Sequence, residues 1–191
     1  MLLALIATHL VVGALAPALT TIARQRGYFL SALVPLVGFI WLALQGPTVI
    51  RGGSVQERYP WITPLGVDLS FRMELLQWVL AMVVTGIGAL VLFYSRWYFS
   101  ASPTGTRCLG LLTAFAGAML GLVTTDNTMV LYVFWEITTV FSYLLIGNDY
   151  TRKANRGAAL TALIVTTIGG LAMLVGIILM REVTGSFSLS G

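Results

Sequence analysis

Charge is scarce in this sequence. Eleven basic and seven acidic side chains make up 9% of its 191 residues, and 58% are hydrophobic, whereas about a quarter of an ordinary soluble domain is charged. So few charged groups cannot cover a globular surface in water, and a mean hydropathy of +0.90 excludes a soluble fold. Intrinsic disorder is excluded on the same grounds. A single cysteine, Cys108, rules out a disulfide scaffold. A single histidine, His9, rules out Cys/His metal clusters and leaves no serine, histidine and aspartate set that could meet. There is no P-loop. The net charge of +4 does not describe a nucleic-acid binder, because the basic residues stand in singles and pairs between apolar runs, the pattern of membrane topology.

What is abundant is long uncharged runs. A bilayer core of about 30 Å needs roughly 20 helical residues, and six runs approach or exceed that length: Leu2 to Ala23, Tyr28 to Gln45, Leu75 to Ser95, Cys108 to Thr125, Thr128 to Gly147, and Gly157 to Met180. Strands are excluded because the runs do not alternate apolar with polar, and an open sheet in lipid leaves backbone groups unpaired. The first run has no basic segment before it and outlasts a signal-peptide core, so it is expected to be a retained helix. Pro17 and Pro35 are expected to kink the first two helices without breaking them. The expected fold is therefore an all-α integral membrane protein of six transmembrane helices.

The arginines orient it. Arg24, Arg26, Arg96, Arg107, Arg152, Lys153 and Arg156 gather on one side; Arg51, Arg58, Arg72 and Arg181 stand on the other, mixed with Glu57, Asp68 and Glu182. The side richer in basic residues is expected in the cytoplasm, with both termini external. Tyr94, Trp97 and Tyr98 fit an aromatic belt at the inner end of the third helix. The one long connection, residues 46–73, holds Pro47, Pro60, Pro64 and Gly52-Gly53, and patches such as Val67-Asp68-Leu69-Ser70-Phe71 alternate. It predicts an external loop with a short β-hairpin around Tyr59 to Phe71. It is too short to hold a catalytic domain.

Among the few charges, Glu136 is singled out by position, near the middle of the fifth run. An acid at mid-membrane costs about 2.5 to 3.5 kcal/mol on insertion scales, which makes it a functional candidate by default; the alternative is a neutral, hydrogen-bonded structural glutamate. Helical spacing puts Tyr132, Thr139, Val140 and Tyr143 on its face, so hydroxyls flank it. His9 suits a proton relay, or else an interhelical hydrogen bond. Asp126, in the short turn before the fifth helix, reads as that helix's N-cap or as an ion-entrance residue. Glu74 reads as the cap of the third helix. Arg152, Lys153 and Arg156 are a topology signal, or a site of proton exchange or partner contact on the cytoplasmic side. Gly117 and Gly121, and Gly169, Gly170 and Gly176, read as close-packing surfaces. Cys108 is expected as a reduced thiol facing the cytoplasm.

Three segments resemble a known family. Val84 to Ser100, Asp126 to Tyr150 and Asn155 to Gly176 are similar to the antiporter-like membrane subunits shared by Mrp-type cation/proton antiporters and respiratory complex I. The W-E-x-x-x-x-x-S-Y-L-L-I-G element from Trp135 to Gly147 is specific, and VDLSFRME, Val67 to Glu74, matches the family's hairpin. TTIGGLAML resembles the large A-type member of the Mrp complex more closely, since complex I members usually carry an arginine and an aspartate where Thr167 and Gly170 stand.

The resemblance implies the start of an antiporter-like fold, which in the family holds inverted repeats with broken helices. Residues 1–107 would supply the three N-terminal helices and the loop 46–73; residues 108–191 would supply the first three helices of the first repeat. It implies a subunit of a multi-subunit Na+/H+ antiporter in the bacterial plasma membrane, with other membrane subunits, H+, Na+ or another monovalent cation, and lipid as partners. It implies no cofactor, no nucleic acid and no enzyme activity. The family's intramembrane glutamate falls on Glu136, supported by Tyr132, Thr139, Tyr143, Asp126 and His9. Its lysine partner has no counterpart, because Lys153 is the chain's one lysine and is expected in a loop. The alternatives are a proton-pumping subunit of complex I and a truncated, non-transporting scaffold.

Overall fold

A computed structural model describes residues 1–23, 26–62, 64, 66–99 and 103–190. Six helices and one hairpin follow one another: α1 (Leu2–Ala23), α2 (Arg26–Ile50), β1 (Val55–Ile62), β2 (Val67–Met73), α3 (Leu75–Tyr98), α4 (Pro103–Thr124), α5 (Thr128–Ile146) and α6 (Lys153–Thr184). Among the described residues, α2 to α6 supply five helices long and apolar enough to cross a membrane, and α1 contributes an apolar stretch, Leu2–Ala18. The chain is a multi-pass membrane protein, mostly helical, with a small two-stranded sheet.

Each apolar run became a helix, because in lipid the backbone must satisfy its own hydrogen bonds. The boundaries moved at several helices, α2 among them. Gly46-Pro47 reads as a stop, yet the helix continues to Ile50. Proline's fixed φ is itself helical, and α3 holds this end: the Trp78 indole lies against Gly46 and donates to Leu42 O at 2.7 Å. The loop expected over residues 46–73 is correspondingly shorter, and the hairpin within it is longer than expected. Val55 pairs with Met73 at one end and Ile62 with Val67 at the other, with a bulge between Pro60 and Ile62. Gly66 turns the chain at φ +70°. Glu74 caps α3, its amide bonded to the Gln77 side chain. Lys153 is not in a loop but is the first residue of α6. α4 begins at Pro103, ahead of the expected boundary at residue 108. Arg24, named among the topology residues, lies outside the described residues.

α4 is the centre of the bundle, packing on α1, α2, α3 and α5. Its contact with α1 is backbone to backbone. A Cβ at Gly13 would sit 2.7 Å from Ala114 N, and one at Gly110 would sit 2.6 Å from Gly13 O. Since lipid offers no hydrophobic drive for helix association, close approach through small residues is what holds such a seam. The pairing of Gly13 with Gly110 and of His9 with Gly117 makes α1 and α4 antiparallel. Gly117 and Gly121 pack as expected, the second against the Phe134 ring of α5. Gly169 and Gly176 do not: nothing lies within 4 Å of either position, so of the α6 glycines read as packing surfaces, Gly170 alone is one.

The hairpin docks on the turn between α4 and α5. Phe71, 1% exposed, bridges Thr125, and Asp126 N donates to Ser70 O at 2.8 Å. The segment after α6 covers the same turn from the other side, Thr128 N donating to Phe187 O and Leu189 N to Asp126 O, both at 2.8 Å. Glu57 of β1 reaches α1, accepting from the Met1 amine, from Leu2 N at 2.8 Å and from Leu3 N at 3.3 Å. Burial pushes its carboxyl up, but those donors and the amine's charge outweigh burial and hold it below the usual glutamate range.

Candidate functional site

Glu136 stands midway along α5, half-buried, between Trp135 and Ile137. Its Oε1 is buried and has no hydrogen-bond partner among the described residues. The carboxyl lies in the seam between α5 and α6, against Gly170. A Cβ built on Gly170 would overlap Oε1 and would also touch Trp135 Cδ1 at 3.5 Å. The seam closes from the turn that joins the two helices, where a Cβ on Gly147 would meet Ala159 Cβ at 3.5 Å. From there α5 and α6 run antiparallel, which brings Gly170 opposite Glu136.

Of the face read from the helical period, Tyr132 stands one turn before Glu136 on α5 and is half-buried. Thr139 is buried at 6% exposure and Tyr143 is half-buried. Val140 is 49% exposed and lies outside the site. Thr138, one residue from the expected face, closes a bond to Trp135 O at 2.7 Å.

His9 and Asp126 are elsewhere. His9 is fully buried in the α1–α4 seam, 0% exposed, with its Cβ opposite Gly117. Its bond is within its own helix, Nδ1–H to Leu5 O at 2.7 Å, and not between helices as expected. Nε2 is left as a buried acceptor without a partner. Asp126 is not the cap of α5. Asn127 takes that place, its Oδ1 accepting from Met129 N at 3.0 Å and Val130 N at 3.2 Å, while Asp126 accepts from Ser190 Oγ at 2.6 Å and Ser188 Oγ at 3.3 Å. Both are short polar side chains suited to capping; the backbone bond from Asp126 N to Ser70 O commits the earlier residue to the hairpin. Asp126, Ser70, Asp68, Arg58 and Arg72 line a polar cavity of about 500 Å³ at this end of the bundle. Arg58 donates to Asp68 there at 2.9 Å.

At the other end, the α5–α6 turn is built on Asp149, which accepts from the Thr151 hydroxyl and amide and pairs with Arg152 at 3.1 Å. The Thr151 hydroxyl bond comes first among the causes that hold Asp149 below the usual aspartate range. Arg156 donates to the Tyr150 and Thr151 carbonyls, so this basic group also shapes the turn. Cys108 is buried. Among the described residues, no group of three or more His, Cys, Asp or Glu is placed to hold a metal ion.

The residue that sequence reasoning missed as part of the site is Gly170. The Gly169-Gly170 pair was visible, but successive helical residues point about 100° apart, and the sequence does not say which of the two faces α5.

Comparison with known proteins bears on the family and the fold. Residues 125–191 match the model of the NADH:quinone oxidoreductase/Mrp antiporter transmembrane family, and residues 61–107 match that of the complex I chain 5 N-terminus. The A subunit of the Na(+)/H(+) antiporter of Alkalihalophilus pseudofirmus is 38% identical over 93% of this chain and 22% of its own length. A Rhizobium meliloti protein, described as the A/B subunit of a probable K(+)/H(+) antiporter, is 38% identical over 86% of this chain and 17% of its own. In the Mrp complex from a Dietzia species, a chain 31% identical superposes over the whole of this one, and over 20% of itself, with a TM-score of 0.89. The chain thus spans about a fifth of the length of these relatives. By its matched segments and its fold, the chain belongs to the antiporter-like membrane subunits of the complex I and Mrp superfamily, where it corresponds to the N-terminal part of the Mrp A subunit.

Proposed function

We propose that this chain forms the N-terminal part of the A subunit of a multi-subunit monovalent cation/proton antiporter, and that Glu136 binds and releases a proton within it. The observation that carries this reading is the buried, unpartnered Oε1 of Glu136 on a membrane-spanning helix, inside the segment that matches the family. An intramembrane acid that faces a helix seam with one oxygen free of any fixed partner is the arrangement expected of a proton site. Tyr132 supports it, and Thr139 and Tyr143 stand on the same face. The relatives are named for Na+ and K+; Na+ is the cation proposed here, with the other membrane subunits of the complex as partners.

In this reading α1 is the sixth span. It lies antiparallel along α4 through His9, Gly13 and Ala16, so a membrane that surrounds α4 also surrounds α1. The basic residues then put the hairpin and both ends of this chain outside the cytoplasm, in a bacterial plasma membrane. α4 opens the first antiporter-like repeat.

The test uses the whole antiporter in everted vesicles. Glu136→Gln is expected to reduce cation-dependent proton flux to that of vesicles without the complex, at normal assembly. Flux at the wild-type rate overturns the role of Glu136 and favours a scaffold.

A further inference from the structure

We infer that Gly170 is a positioning residue: its missing side chain forms the notch in α6 that seats the Glu136 carboxyl. This rests on the proposed role of Glu136 and adds a residue to it.

The notch is specific. Gly170 is buried, and a Cβ there falls on Glu136 Oε1, far inside the 3.0 Å that real Cβ contacts observe, with Glu136 Cδ at 3.4 Å and Trp135 Cδ1 at 3.5 Å. The other α6 glycines, Gly157, Gly169 and Gly176, have nothing within 4 Å. A methyl group is therefore admitted at each of those positions, whereas at Gly170 it displaces the flexible end of the Glu136 side chain. To accept it, the carboxyl must move by roughly 1 Å, or α5 and α6 must part.

A shift of that size matters because Oε1 has no hydrogen bond to hold it. Its place is set by shape, with the α6 backbone at Gly170 beside it. Proton transfer requires donor and acceptor atoms within hydrogen-bond reach, about 2.6 to 3.2 Å, so displacing the carboxyl by roughly 1 Å removes it from a partner it met before. A glycine at this position lets α6 come close while leaving the oxygen its room.

The experiment compares Gly170→Ala, Gly169→Ala and the double variant Gly170→Ala/Glu136→Asp in the complete antiporter complex. Two readouts are taken: antiport in everted vesicles, and the rate at which dicyclohexylcarbodiimide labels residue 136 in purified complex, followed by peptide mass spectrometry. The expected result for Gly170→Ala is antiport slowed about tenfold and labelling changed at least about threefold, with Gly169→Ala within about twofold of wild type in both. Aspartate is one methylene shorter and withdraws the carboxyl from the new methyl, so Glu136→Asp should raise antiport in the Gly170→Ala background although it lowers it in the wild-type background. Equal behaviour of Gly169→Ala and Gly170→Ala overturns the inference. So does a Gly170→Ala complex that fails to assemble and is not restored by Glu136→Asp, which makes Gly170 a packing residue only. If Glu136→Gln leaves antiport intact, the proposed function falls, while the labelling rates still decide whether Gly170 seats the carboxyl.

Discussion

Two seams of this bundle each bury a titratable side chain against a glycine, and they differ in what surrounds it. In the α1–α4 seam, His9 lies over Gly117 with 0% exposure, its ring enclosed and its Nδ1 proton given to Leu5 O. In the α5–α6 seam, Glu136 lies over Gly170 half-buried. The glycines of the first seam admit backbone and carbon, and their contact is adhesion. The glycine of the second admits a carboxyl oxygen. Burial alone therefore does not single out the proposed site: the more buried group is held in a closed wall, and the group proposed to carry the proton is half-buried.

That contrast can be broken by substitution. The largest effect is expected at Gly110, where any side chain meets the Gly13 carbonyl: Gly110→Leu should cost about 3 kcal/mol or more and prevent recovery of folded complex, measured by the yield of assembled antiporter after detergent extraction. Glu136→Gln should do the reverse, abolishing antiport while the thermal midpoint of the complex stays within about 2 °C of wild type. His9→Phe keeps a ring in the α1–α4 seam and removes a buried acceptor that has no partner. Antiport should remain within about twofold and stability within about 1 kcal/mol; loss of antiport in a stable His9→Phe complex would make His9 a second proton site and erase the distinction between the seams.

The smallest effect concerns neither seam but the hairpin. Glu57 has a lowered pKa from its bonds to the start of α1, so its stabilising contribution is complete above the unfolded value of about 4.3 and is lost as pH falls through the folded value. Glu57→Gln should therefore lower the melting temperature by a few degrees at pH 7, and the difference from wild type should shrink as pH falls below the unfolded value.

The helices were legible because lipid leaves the backbone no alternative, so an uncharged run of sufficient length is already a helix. Their ends were less so: Pro47 reads as a stop, yet α2 continues past it, with Trp78 packed on Gly46 and bonded to Leu42 and with Val49 buried. Glu136 was legible from charge scarcity, because an acid in such a run has few structural explanations. Its seat was not, since Gly169 and Gly170 differ only in direction. The cap of α5 was misassigned between neighbours Asp126 and Asn127 for a related reason: both side chains suit the role, and a backbone bond to a hairpin far earlier in the chain chose between them.

The strapping of the α4–α5 turn has a mechanical consequence. Its backbone is bonded to Ser70 on one side and to Phe187 and Leu189 on the other, so α5 and α6 are stitched together where α5 begins and α6 ends. Their opposite ends are joined by the short turn at Asp149. A pair of rods fixed at both ends resists sliding and parting, which leaves side-chain rotation as the cheap motion between them. In the proposed function, the part left to move in this segment is then the Glu136 carboxyl, turning within a fixed pair of helices.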